Sequence, residues 1–80
     1  MKITLAGGME LECDYMDHSE QRRQANVRIL NIPMATVARI FSDPAKTVQM
    51  RFENDYAAGF TKLLAIIDDG DAIRVVLGKE

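Results

Sequence analysis

Two apolar runs meet at a short acidic turn, and that meeting limits the fold more than any other feature of the chain. Phe60 to Ile67 and Ala72 to Gly78 flank Asp68-Asp69-Gly70-Asp71. Asp-Gly between apolar runs is a strong short-range signal for an antiparallel hairpin. With Asp69-Gly70 as a two-residue turn, Ile66 faces Ile73 and Leu64 faces Val75, and Phe60 lies on the same side. The opposite side pairs Ile67 with Ala72, Ala65 with Arg74 and Leu63 with Val76. Both sides are apolar, so the hairpin is expected at the centre of a sheet or at an interface. Leu63, Ile67 and Val76 are the residues expected at that interface.

The N-terminus alternates more cleanly. Ile3 and Leu5 alternate with Lys2 and Thr4; Met9, Leu11, Cys13 and Tyr15 alternate with Glu10, Glu12 and Asp14. This period of two predicts strands over 2–6 and 9–16. Their register follows from the acids. A two-residue Gly7-Gly8 turn would set Leu5 against Glu10 and Ile3 against Glu12. A three-residue Ala6-Gly7-Gly8 loop sets Leu5 against Met9, Ile3 against Leu11 and Lys2 against Glu12. A slip of one residue flips every side chain, so the apolar pattern selects the longer loop, with Gly8 at its left-handed bulge position.

Between these hairpins, residues 17–25 hold almost nothing to bury and predict a solvated loop or a short polar turn. Val27, Ile29, Leu30 and Ile32 predict a strand over 26–32. Residues 33–42 predict a helix that starts at Pro33, with Met34, Val37, Ala38 and Phe41 on one face and Ile40 beside it. Pro44 ends it, because the residue before a proline avoids the helical region. Val48, Met50 and Phe52 alternate with Gln49, Arg51 and Glu53 in a strand over 47–53. Asn54 and Asp55 then begin a turn that ends near Gly59.

Eighty residues predict a single domain spanning 1–80. The expected architecture is α+β: an antiparallel sheet of five to six strands with one short helix packed on one face. A chain this short buries only about 60–65% of its unfolded surface. Small domains often need disulfides, metals or partner subunits. Cys13 is the sole cysteine, so no internal disulfide forms and no multi-cysteine metal site exists. Self-association gains weight accordingly. No long apolar run predicts a membrane span, and no apolar stretch near Met1 predicts a secretory signal. A reducing, cytoplasmic setting is the simplest expectation.

Few residues suggest chemistry. Asp68, Asp69 and Asp71 resemble a calcium or magnesium site only in composition; their spacing is that of a turn, and no metal or other cofactor is expected. His18 is the only histidine, and Asp17, Ser19 and Glu20 adjoin it in sequence alone; a solvent-exposed loop histidine is expected. Cys13 shares the face of Leu11 and Tyr15, which predicts a buried thiol acting as a small hydrophobe. Arg22, Arg23 and Arg28 form a candidate basic patch. The net charge of −2 and the scattered lysines and arginines disfavour general nucleic-acid binding. No phosphate loop, nucleophile elbow or zinc-ligand spacing is present, so an enzyme is not expected.

Ile40-Phe41-Ser42-Asp43-Pro44, followed by Thr47 to Phe52, Phe60-Thr61-Lys62 and Asp69-Gly70-Asp71, resembles small proteins encoded in bacterial prophages. The resemblance covers roughly residues 37–79. It implies an accessory or virion-associated protein of phage origin and brings no catalytic residues with it. The functional expectation is therefore a non-enzymatic structural or protein-interaction module, a homo-oligomer or a subunit among other proteins. A small nucleic-acid-associated regulatory protein using Arg22, Arg23 and Arg28 is the alternative.

Overall fold

The computed structural model describes residues 1–47, 49–53 and 59–79. Among these, six strands form one antiparallel sheet in the order β4-β1-β2-β3-β6-β5. They are β1 (Lys2–Thr4), β2 (Glu10–Ser19), β3 (Gln24–Leu30), β4 (Arg51–Phe52), β5 (Phe60–Asp68) and β6 (Ala72–Lys79). Two helices, α1 (Met34–Phe41) and α2 (Pro44–Thr47), connect β3 to β4. The α+β architecture with an antiparallel sheet and a short packed helix is as the sequence predicts.

The first hairpin adopts the expected register. Lys2 pairs with Glu12, Ile3 with Leu11 and Thr4 with Glu10. The Leu5 N–H donates to the Met9 carbonyl at 2.8 Å, and the Gly8 N–H donates back to Leu5 at 3.1 Å. Gly7 and Gly8 both have positive φ, 90° and 89°. Only glycine adopts two successive conformations of this kind without strain. Ile3, Leu5, Leu11 and Cys13 are buried, whereas Met9, expected on the same face, is 46% exposed at the loop mouth.

Residues 17–25 are not a loop. β2 continues to Ser19, and His18 pairs with Ala25 and Ser19 with Gln24. Only residues 20–23 turn, with Arg23 at φ 54°. A bulge between Cys13 and Tyr15 changes the phase of β2, so that Cys13 pairs with Ile29 but Tyr15 pairs with Arg28. One extra residue there inverts the facing of everything that follows. The expectation on the side chain of Tyr15 lies outside the described residues.

The helix exists as expected, but its buried stripe differs. Val37, Ile40 and Phe41 are buried, while Met34 is 40% exposed. Pro33 is the N-cap residue. Pro44 does more than end α1, because it opens α2. The Asp43 carboxylate accepts the Ala45 N–H at 3.0 Å and caps that turn. Thr47 belongs to α2, so the strand expected over 47–53 shrinks to Arg51–Phe52. Met50 and Phe52 are buried as their alternation requires. The expectations on Val48, Asn54 and Asp55 lie outside the described residues.

The last hairpin forms with a register two residues away from the expected one. Asp68 pairs with Ile73, Ile67 with Arg74 and Ile66 with Val75. Gly70 and Asp71 are the turn residues, closed by the Asp69 N–H on the Ala72 carbonyl at 3.0 Å. Gly70 takes the positive φ of 85°, and its N–H donates to the Asp68 carboxylate at 3.0 Å. A shift of two keeps every side chain on its own face, so the apolar pattern cannot oppose it. β5 also carries irregularities between Phe60 and Lys62 and between Leu63 and Ala65. Its inward residues consequently recur every third position: Phe60 is buried, and Leu63 and Ile66 pack on the core.

The core lies between the sheet and α1. Ile3, Val27, Ile29, Val37, Phe60, Val75 and Leu77 are fully buried. At about 25 cal/mol per Å² of apolar area, this layer is the main favourable contribution to the fold. Among the described residues no helix is long and apolar enough to cross a membrane.

Candidate functional site

The sheet has two unlike faces. The helices cover one face. The other carries the outward residues of β2, β3, β6 and β5 and is uncovered among the described residues.

A four-residue charge cluster lies on this outer face. Arg28 and Arg74 are direct cross-strand partners on β3 and β6. Like charges placed so repel one another. Two carboxylates compensate. The Asp14 carboxylate lies 3.2 Å from Arg28 Nη1. The Asp69 carboxylate lies 3.7 Å from Arg28 Nε and 3.9 Å from Arg74 Nε. The β2 bulge supplies Asp14 and the β5–β6 turn supplies Asp69, so two backbone irregularities serve one cluster. Its side chains are 32–40% exposed, and each pair contributes about 1 kcal/mol or less at such exposure. Both arginine Nε atoms are out of solvent and face Asp69 at ion-pair rather than hydrogen-bond distance. Beside the cluster, Asn26 Nδ2 donates to the Asp17 carboxylate at 3.3 Å.

Next to the charges runs an apolar strip. Leu64 is 46% exposed and Ile67 is 37% exposed, and Val76 is half-buried. Ile67 and Val76 are thus on the uncovered face, where the sequence places them. Leu63 is not. The bulge turns it inward onto the core, and Leu64 takes the outward position instead. Gly78 lies beneath Leu64; a Cβ built on Gly78 would stand 3.0 Å from a Leu64 methyl.

The arginines of the candidate basic patch are not brought together. Arg22 and Arg23 sit in the β2–β3 turn, with the Arg22 N–H donating to Ser19 Oγ at 3.2 Å. Arg28 lies further along β3 and is held by Asp14 and Asp69. Arg28 lies four residue steps along β3 from Gln24 at the turn, roughly 13 Å of strand.

His18 is a strand residue rather than a loop residue. It is half-buried, with its ring centroid 5.7 Å from that of Phe60. Lys79 Nζ lies 5.5 Å above Phe60 and pairs with Glu20 at 3.3 Å. Asp17 and Ser19 flank His18 on the strand and so take the opposite face. A 340 Å³ cleft opens here, lined by polar residues that include Gln21, Arg22 and Gln24.

The Asp68–Asp71 segment is a turn. Asp68 accepts the Gly70 N–H, and Asp69 faces the two arginines. Among the described residues no three His, Cys, Asp or Glu side chains cluster as metal ligands. Cys13 is buried, as expected. Burial pushes its thiol pKa up to about 12; the N-terminal ammonium pulls it down, and Glu12 and Asp14 raise it further. A thiol held protonated is inert as a nucleophile.

Sequence reasoning missed the charge cluster, because both of its carboxylates arrive through irregularities. The charged Arg74 inside an apolar run was the available signal. Comparison with known protein families, curated proteins and solved structures finds no match for this chain.

Proposed function

We propose that this chain is a non-enzymatic structural module that works by self-association, as an assembly component of phage or prophage origin. One observation carries the reading. Leu64, Ile67 and Val76 form an apolar strip on a sheet face that no other described element covers. Such a strip beside a polar cluster has the anatomy of a protein–protein contact, with an apolar centre and a charged rim. The thin core expected of a chain this short supports the same reading, since a subunit contact adds burial.

Light scattering after size exclusion, from micromolar to millimolar protein, tests it. The mass is expected to rise with concentration above the 9.0 kDa of one chain. A strict monomer throughout overturns the reading. A phage-assembly role places the protein in the cytoplasm or the virion.

A further inference from the structure

This inference rests on the self-association reading and names its contact. Among the described residues, β5 is an outermost strand of the sheet. The Asp69 N–H bonds to the Ala72 carbonyl, which makes Asp69 and Ala72 a hydrogen-bonded pair. Antiparallel alternation then makes Ile67–Arg74 and Ala65–Val76 the next bonded pairs. The backbone N–H and C=O groups of Ile66 and Asp68 therefore point away from β6, toward the open edge. The irregularities confine regular strand to Ala65–Asp68.

Charge along β5 is polarised. Lys62 lies toward its beginning, and Asp68 and Asp69 lie at its end. Such a strand complements a second copy of itself only when the two run antiparallel. Parallel pairing would set like charges together.

We propose that the β5 edge is a homodimer contact, in which two copies of β5 pair antiparallel about a two-fold axis at Ile66. Ile66 then bonds to its counterpart through the two free backbone groups of each. Ala65 of each copy lies opposite Ile67 of the other, joining the two apolar strips into one. Each Lys62, on the outer face, falls toward the other copy's Asp69, which lies on that same face; Asp68 lies on the face of Ile66. The contact is isologous, as a two-fold requires. Its short regular stretch places it among weak interfaces rather than obligate ones.

Light scattering on the full-length chain, with far-UV circular dichroism confirming the fold, tests the proposal. Lys62→Glu and Asp69→Lys are each expected to weaken association about tenfold, since two symmetric attractions become repulsions. An equimolar mixture of the two variants is expected to regain wild-type association, because each restores the opposite charge to the other. Ile67→Lys, at an exposed position, is expected to give monomer. Self-association that none of these substitutions changes overturns the β5 contact and leaves the self-association reading in place. A wild-type monomer at millimolar concentration overturns both.

Discussion

The two tight hairpins of this protein are built from the same materials and differ in what fixes their register. In β1–β2, acids alternate with apolar residues, so one slip would drive Glu10 and Glu12 into the core. In β5–β6, Leu63 and Leu64, and Ile66 and Ile67, are apolar neighbours on opposite faces. Nothing there penalises a shift, and the strand carries two irregularities. Register is therefore specified by the cost of the wrong face, and only weakly by the favour of the right one.

Deletion of one loop residue gives the largest test of this contrast. Removing Gly8 leaves a two-residue turn and forces the flipped register. The expected result is loss of the cooperative thermal transition, since domains of this size have only about 4–12 kcal/mol in reserve. Removing Asp71 shifts β5 by one residue against β6, yet apolar side chains meet the core either way. A cooperative melt is expected to survive, lower by about 5–15 °C. Equal melts for the two deletions would break the contrast.

Gly78 offers a sharper and smaller test. Gly78→Ala sets a methyl against Leu64 and is expected to cost about 1–3 kcal/mol in urea unfolding. Leu64→Ala, at a half-exposed position, is expected to be almost neutral. The double variant should recover most of the loss if the clash is the cause. Additive losses would show that the penalty lies in the backbone.

The smallest effect concerns Cys13 in the first hairpin. Its thiol pKa is raised in the folded state from 9.0 to about 12. The unfolded chain thus releases its proton first, and this contribution to stability, complete below pH 9, is lost as pH rises toward 12. At pH 10 wild type is expected to lose about 1 kcal/mol more than Cys13→Ala does, relative to pH 8. Identical pH profiles would contradict burial of the thiol.

Legibility of the sequence follows the same contrast. The N-terminal register was readable to the residue because Glu10, Glu12 and Lys2 exclude its rival. The C-terminal register was not, because Asp69-Gly70 and Gly70-Asp71 are both acceptable turns and preserve both faces. The end of β2 was illegible for another reason. Asp17, His18 and Ser19 bury little, and their strand exists because Ala25 and its neighbours continue the ladder. At the candidate site, Ile67 and Val76 were readable from alternation alone. Leu63 was misplaced by a bulge that no local residue announces, and the same blindness hid Asp14 from Arg28.

The strand order also has a consequence for how the chain is made. β3 and β6 lie side by side in the sheet, joined from Gln24–Gly78 to Leu30–Ala72. Some forty residues of chain, including both helices, separate β3 from β6. During synthesis the first three strands can assemble as they emerge, but Val27 and Ile29 then sit on an open edge until β6 has been made. Closing such a long-range pair is slow, and an apolar edge left waiting invites the wrong neighbour. Aggregation during expression should therefore depend on how quickly the last strand arrives.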